Sequence, residues 1–310
     1  MKFNPKERTQ KYQFVIEDID KYTAYAFVSR YHYSPVMPVQ TKHYLAIKLD
    51  GETRGVLTLG WGTQPRNTFT KIFPGLKDEV SVKTGDKYEK HMSEYYFEIG
   101  KMCMDPDMPF NSETQMLSEV SRWIKKEYPR CLFLYTMADG IMGKHGMVYQ
   151  AANFVYIDKF LTDVYMMDNG EKLHPRTSKD LCKENAVWLK ENEPERFAKL
   201  KNKNQVFWLT DGFMKEKGIK RIKGYMFRYM LPLSKRARKM LTNPKIIDKK
   251  MIDQTPPSKD DLVWWDATDA GQKVKLDEMP PFCLDLDNIV ANQRNIEKYS
   301  VSFNLEEFMA

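Results

Sequence analysis

Apolar and polar positions along this chain switch between the two-residue period of strands and the longer period of helices, and the order of the switches predicts a mixed sheet covered by helices. Residues 12–16 read as a first strand, and residues 20–31 as a helix with Tyr22, Tyr25, Ala26 and Ser29 at helical spacing. After a proline-bearing loop, apolar runs at 44–49 and 56–61 flank Asp50 and Gly51, the turn chemistry of a hairpin. Residues 64–93 are polar, lysine-rich and interrupted by Pro65 and Pro74, which reads as an inserted loop. Residues 95–104 are a strong strand, stopped by Pro106 and Pro109. A helix begins at Asn111 or Ser112, where Ser112 and Gln115 fit a capping box and Met116, Leu117, Val120, Trp123 and Ile124 form one apolar face. Pro129 ends it, and residues 131–137 are the near-continuous apolar run of a buried strand. Gly140, Gly143 and Gly146 lie in a loop that opens a short helix at 147–152, and residues 154–157 and 164–167 read as a strand pair. A basic helical stretch at 178–201, a strand at 225–233 and an irregular, proline-containing acidic segment beyond Met240 complete the chain. The predicted fold class is therefore α/β (α+β), a mixed sheet with helices on both faces and a C-terminal extension.

Composition narrows the class. With 42% apolar and 13% aromatic residues, 310 positions can build a core, which excludes a disordered chain. No stretch approaches the roughly 20 unbroken apolar residues of a membrane span, and the charged N-terminus has no apolar core behind it as a secretory signal would. The four cysteines, Cys103, Cys131, Cys182 and Cys283, lack zinc-binding spacing. They read as small buried hydrophobes of a chain that works in a reducing cytoplasm. The net charge of +7 is unevenly spread. Residues 215–250 hold 13 basic and 2 acidic side chains, a net of +11, whereas residues 251–310 hold 5 basic and 12 acidic, a net of −7. Such a block suggests a polyanion-binding surface beside a tail that can compete for it, or else a solvated face. The organisation read from these patterns is a catalytic core at 1–175, a basic extension completing it at 176–240, and a largely irregular acidic tail at 241–310.

Candidate chemistry concentrates in two segments. Four of the five histidines, His32, His43, His145 and His174, fall in loops flanking the predicted sheet, where sites tend to form. Asp139 leaves the end of a buried strand, the place where ligands gather in open α/β sheets. His145 sits near a helix start that opposes its protonation, and Tyr149 lies about one turn further on. Read blandly, Asp139 is a turn cap and Tyr149 a packed aromatic. The second segment is the strand–loop–helix at 95–126, whose helix start near Asn111, Ser112 and Thr114 offers unpaired amides to a pyrophosphate such as that of coenzyme A. The usual glycine-rich fingerprint is absent, and Glu113 puts a negative charge in the first turn.

These pieces together resemble the phage Mom family of DNA-modification proteins. The likeness runs over residues 31–176: Tyr31-His32-Tyr33, then Lys101-Met102 with Pro106-Asp107-Met108-Pro109-Phe110-Asn111, then Ala138-Asp139 through Gly143-Lys144-His145-Gly146, then Val148-Tyr149-Gln150-Ala151-Ala152-Asn153-Phe154, with His174-Pro175-Arg176 beyond. The resemblance implies a fold related to the GCN5-type N-acyltransferases. It also implies transfer of a carbamoylmethyl group to the exocyclic amine of adenine in double-stranded DNA, which blocks restriction. It assigns activity to Asp139 and Tyr149, matches His32 and His145 to family histidines, and brings acetyl-coenzyme A and iron as associated groups. Met137 stands where an aromatic residue is usual and Lys101 where an arginine is common.

A weakly nucleophilic adenine amine would use Asp139 or His145 as base and Tyr149 as acid or orienting donor; alternatively His32, Asp139 and Tyr149 are ligand types that suit iron. Lys220, Arg221, Lys223, Arg228, Lys235, Arg236, Arg238 and Lys239 are the candidates for holding DNA phosphates while the base is extruded. Two rival functions share parts of the pattern. One is a conventional acetyl-coenzyme A-dependent N-acetyltransferase of a small amine or protein lysine; the other is a non-enzymatic, DNA-binding anti-restriction protein.

Overall fold

A computed structural model describes residues 11–285 apart from 35, 63, 85–87, 175–178, 201–207 and 253, together with residues 287, 289 and 297, and leaves the side chains of 82–90 undescribed. Most of the acidic tail beyond 285 thus lies outside the described residues.

The chain starts with β1 (Val15–Ile19) and α1 (Lys21–Tyr31), whose first amides bond to the Asp20 carboxylate. β2 (Thr41–Leu49) and β3 (Glu52–Gly60) form the predicted hairpin. Its two turn residues, Asp50 and Gly51, both take positive φ, 53° and 87°, as a twisted two-residue hairpin requires. The expected loop at 64–93 is instead helical: α2 (Pro65–Ile72), α3 (Lys77–Thr84) and α4 (Tyr88–Tyr95). Pro65 and Pro74 open helical segments here rather than interrupting a loop, because proline at a first helical position gives up an amide that has no partner anyway. β4 (Tyr96–Met104), α5 (Ser112–Glu127), β5 (Phe133–Asp139) and α6 (Met147–Ala151) follow the predicted order.

The expected strand pair at 154–167 is one long strand, β6 (Val155–Met166), with a bulge between Tyr156 and Asp158. β7 (Lys172–Leu173), α7 (Lys179–Asn192), α8 (Pro194–Ala198) and α9 (Asp211–Glu216) come next. β8 (Lys220–Pro232) starts five residues before the expected strand, and α10 (Lys235–Met240) follows it. The segment expected to be irregular contributes a small hairpin, β9 (Trp264–Asp266) with β10 (Val274–Leu276).

The described strands join in one sheet of order β1-β2-β3-β4-β5-β8-β6-β7, with β9 on β8 and β10 on β9. The mixed α/β architecture is as expected, with one parallel contact, β4 to β5, and antiparallel pairs elsewhere. Ala24, Tyr25 and Val28 of α1 pack against Val56 and Cys103 on one face. Met116, Leu117, Val120 and Ile124 of α5 pack against Leu57 and Met102 on the other. No helix of the described residues is long and apolar enough to cross a membrane.

Two backbone features shape what lies between β4 and β5. Their parallel pairing lasts only three positions, Tyr96–Phe133, Phe97–Leu134 and Glu98–Tyr135. Beyond it β4 stays with β3 and β5 with β8, so a wedge opens toward the carboxyl ends of both strands. Within the opening, Leu59 faces Ile99 and Thr58 faces Lys101, which leaves Gly100 as a bulge. A Cβ on Gly100 would stand 2.7 Å from Pro38 Cγ, so glycine suits this position. The extra residue reverses the alternation of β4. Phe97 and Ile99 face the α5 core, whereas Lys101 and Cys103 turn to the α1 side.

Candidate active site

Five elements deliver side chains to the wedge: the end of α1, β4, β5, α6 and β7. His32 caps the carboxyl end of α1 and is 8% exposed. Its Nδ1 accepts the Ser34 amide at 2.9 Å, which places the proton of the neutral ring on Nε2. Burial, then Lys101 and Lys172, hold its pKa well below the usual histidine value, so the ring is neutral. Tyr33 stacks on it at 4.5 Å. Lys101 donates to the Ser34 carbonyl at 2.7 Å and to Ser34 Oγ at 3.1 Å. Burial chiefly, and Lys172 secondarily, bring its pKa down to about 7 against the opposing pull of Asp139.

Asp139 ends β5 with both carboxylate oxygens engaged. Oδ1 accepts the Ile141 and Met142 amides at 3.1 and 3.4 Å, and Oδ2 meets Lys172 Nζ of β7 at 2.5 Å. Asp139 is thus the turn cap of the bland reading, and pairs with Lys172 besides. Lys172 stands 5.6 Å from the Tyr33 ring. Tyr149 of α6 hydrogen-bonds Thr136 of β5, and burial raises its pKa, which keeps it a neutral donor. Tyr33 is likewise pushed upward by burial, then by Asp139 and Tyr149. These mutual effects bring His32, Tyr33, Lys101, Asp139, Tyr149 and Lys172 together around one opening.

Deeper in the wedge, Glu98 accepts the Gly62 amide at 3.2 Å, and burial lifts its pKa to about 7. Beside it Tyr135 bonds Arg228, which is 4% exposed and paired with Asp158.

His145 is not brought into this group. Its carbonyl accepts the Tyr229 hydroxyl, and its ring acts on Asp261. His43 lies in β2, clamped between Asp18 at 2.5 Å and the Tyr128 hydroxyl at 2.6 Å. Of His174-Pro175-Arg176, the last two lie outside the described residues.

As arranged, His32, Asp139 and Tyr149 do not fit iron. The His32 nitrogen that faces away from Ser34 carries a proton, the Tyr149 hydroxyl is neutral, and Lys172 already occupies the Asp139 carboxylate. Among the described residues no group of three or more His, Cys, Asp or Glu side chains is placed to hold a metal ion.

The expected capping box at the start of α5 is corrected. Asn111 precedes α5 in the left-handed region and its side chain makes no cap, while Gln115 accepts the Tyr12 amide instead of closing a capping box. Ser112 is 1% exposed and turned inward, its hydroxyl donating to the Pro109 carbonyl at 2.5 Å. Asn111 and Thr114 do line a cleft of about 440 Å³ with Lys11, Arg122 and Ala151, and Glu113 is not part of its wall.

The basic candidates separate. Lys220, Arg221 and Lys223 start β8, and the strand's 13 residues carry Lys235, Arg236, Arg238 and Lys239 of α10 to its far end, about 40 Å away at ~3.3 Å per residue. Arg221 is held by Asp163, and with Lys223, Trp208 and Lys273 it lines a cleft of about 610 Å³. Arg228 is inside the protein on Asp158, so it is removed from the phosphate-binding candidates.

Sequence reasoning missed Lys172, Tyr33, Thr136 and Glu98 as site residues. Lys101 carried a signal, a lysine inside an apolar strand; Lys172 carried none, because its partner lies on another strand.

Residues 13–249 match the Mom protein family. The methylcarbamoylase mom of Escherichia phage Mu is 26% identical over 228 residues, which span 73% of this chain and 78% of that protein. Among solved structures, a tandem GNAT protein from the clavulanic acid biosynthesis pathway covers 89% of this chain and 75% of its own, at 9% identity and a TM-score of 0.26, too low to argue from. By the family match over most of its length, this chain belongs to the Mom protein family.

Proposed function

We propose that this chain is a DNA-modification enzyme that transfers an acyl-derived, carbamoylmethyl-like group to the exocyclic amine of adenine and so protects DNA from restriction. One observation carries the reading. In a chain of the Mom family, a neutral histidine, a lysine balanced near neutrality, a carboxylate–ammonium pair and a neutral tyrosine surround one wedge.

The adenine amine is a weak nucleophile, so N–C bond formation needs a group to take the N–H proton and donors to polarise the electrophile. Lys101, in its uncharged form, is the group suited to take the proton at neutral pH. His32 Nε2–H and the Tyr149 hydroxyl are the donors. Asp139 holds Lys172 beside Tyr33 and fixes the local charge. Acetyl-coenzyme A is the proposed cofactor, its pyrophosphate in the cleft of Asn111 and Thr114, where Lys11 adds positive charge and Arg122 is already paired with Glu119 of the same wall. Attack of the amine on its thioester releases the coenzyme A thiol and acylates the base; a carbamoylmethyl-like product takes, in addition, an ammonia-level nitrogen donor and a two-electron oxidant as co-substrates. Double-stranded DNA is the proposed partner, in the cytoplasm of a bacterial host, with the target base extruded into the wedge. Lys220 and Lys223 are the proposed phosphate contacts.

Mass spectrometry of nucleosides from cells expressing the protein tests this. A new adenosine adduct, absent with Asp139→Asn, is the expected result. Unmodified adenosine together with acetylated amines in the same cells would replace the reading with a conventional N-acetyltransferase.

A further inference from the structure

The family match ends at residue 249, yet the chain goes on to add the β9–β10 hairpin to the main sheet. Where it joins is informative. β5 occupies one side of β8 as far as the Asp139–Met226 pair, and β6 occupies the other. β9 takes over the side of β5 from Gly224 to Ile222, so the hairpin prolongs the lane of β5 past Asp139. The Trp264 indole donates to the Ile141 carbonyl at 2.9 Å, which ties the hairpin to the turn leaving the active site.

Alternation along β9 sends its two tryptophans to opposite sides. Trp264 packs with Ile141 and Ile222. Trp265, opposite Lys223, meets Tyr225 edge-on, with ring centroids 5.5 Å apart and planes at 85°. Lys273 Nζ stands 3.7 Å from the centre of the Trp265 ring, and Lys159 Nζ 4.5 Å from that of Tyr225. Both lysines are exposed and both rings half-buried. Cation, ring, ring and cation thus follow one another across the sheet from β6 through β8 and β9 to the approach of β10. Asp261 lies near Lys159, but its carboxylate is taken up by the amide and hydroxyl of Ser258.

We propose that this ladder binds the unpaired DNA strand flanking the base delivered to the wedge. Bases lie against Trp265 and Tyr225, and phosphates meet Lys159 and Lys273. The proposal rests on the DNA-modifying reading above. Extruding a base leaves its neighbours partly unstacked, and aromatic rings between cations suit unstacked bases of any sequence. The hairpin would then be a grip added past the end of β5, its ladder on the sheet face opposite Trp264 and Asp139.

The test is an anisotropy titration of the full chain with a labelled, adenine-containing single strand of about 16 nucleotides. Trp265→Ala is expected to weaken binding by about fivefold or more, and Trp265→Phe to restore most of the loss. Lys159→Gln combined with Lys273→Gln should lower the slope of log affinity against log salt by about 1.4 units. These lysines are exposed, so that second measurement decides the matter even where Trp265→Ala fails to fold. If the wild type binds the strand and either well-folded variant set matches it, the ladder is refuted while the DNA-modifying reading stands. If the wild type binds no DNA, both fall.

Discussion

Replacing Lys101 by methionine should stabilise the fold while removing the proposed activity. Burial brings the Lys101 pKa to about 7 in the folded protein, against about 10.4 in an unfolded chain. Between those two values the unfolded state binds more protons, so stability rises with pH across the window from about 7 to about 10.4. Below it both states are protonated and the full cost applies, about 4–5 kcal/mol at ~1.36 kcal/mol per unit. Methionine is of similar length and carries no charge. It forfeits the two hydrogen bonds to Ser34, each worth about 1 kcal/mol. Residual solvent contact lessens the electrostatic share further, which leaves a net gain of about 2 kcal/mol at pH 6, or roughly 4 °C in Tm. Toward pH 9–10 the advantage should shrink through zero as the wild-type lysine sheds its proton. Urea unfolding of both proteins at pH 6 and pH 9.5 reads the difference directly. A Lys101→Met protein less stable by the same margin at both pH values would show that no ammonium is buried there, and Lys101 would lose its proposed place as the near-neutral base.

Four further outcomes are expected. Asp139→Asn, which frees Lys172, and Tyr149→Phe, which removes a donor, should each abolish adenosine modification in folded protein; full modification by either cancels that residue's role. Arg228→Ala should cost about 3–5 kcal/mol in chemical denaturation because Asp158 is left without its partner. The same change should leave the salt slope of DNA binding alone, whereas Lys220→Gln with Lys223→Gln should lower that slope by about two units. Thr114→Asp should weaken acetyl-coenzyme A binding by about tenfold, ~1.4 kcal/mol. Wild-type affinity in a calorimetric titration would place the cofactor elsewhere.

The elements that pattern alone located are those whose pattern is unmixed. β5 and α5 are apolar along the whole buried run or one whole face, and both stand where expected. Errors arose where one residue type serves two purposes. Pro65 and Pro74 read as breaks because proline both ends and begins helices, and only the following turn tells which. β6 read as two strands because its bulge and Asp158 interrupt the apolar run. The first half of β8 escaped notice because Lys220, Arg221 and Lys223 surround a single buried Ile222. In the candidate site, Asp139 and His32 stand out by their places at element ends and, with Tyr149, by the family likeness. The side to which Lys101 points depends on one unpaired glycine, and the Lys172–Asp139 pair joins β5 to a strand separated from it by two others in the sheet order. Neither leaves a mark in local sequence.

β8 has a consequence for how the protein is made. Its partner positions on β5 come off the ribosome long before it: Phe133 pairs with Pro232 and Asp139 with Met226, roughly 90 to 100 residues later in the chain. At ~5–20 residues per second of synthesis, the apolar β5 waits several seconds with its β8-facing edge unpaired. During that interval one wall of the wedge has no backing, and the nascent chain carries an open strand edge of the kind that pairs with other chains. A fragment ending near residue 175 would keep that edge permanently, so it should aggregate rather than fold. Expression of the intact chain should improve when translation slows only after Pro232 has emerged.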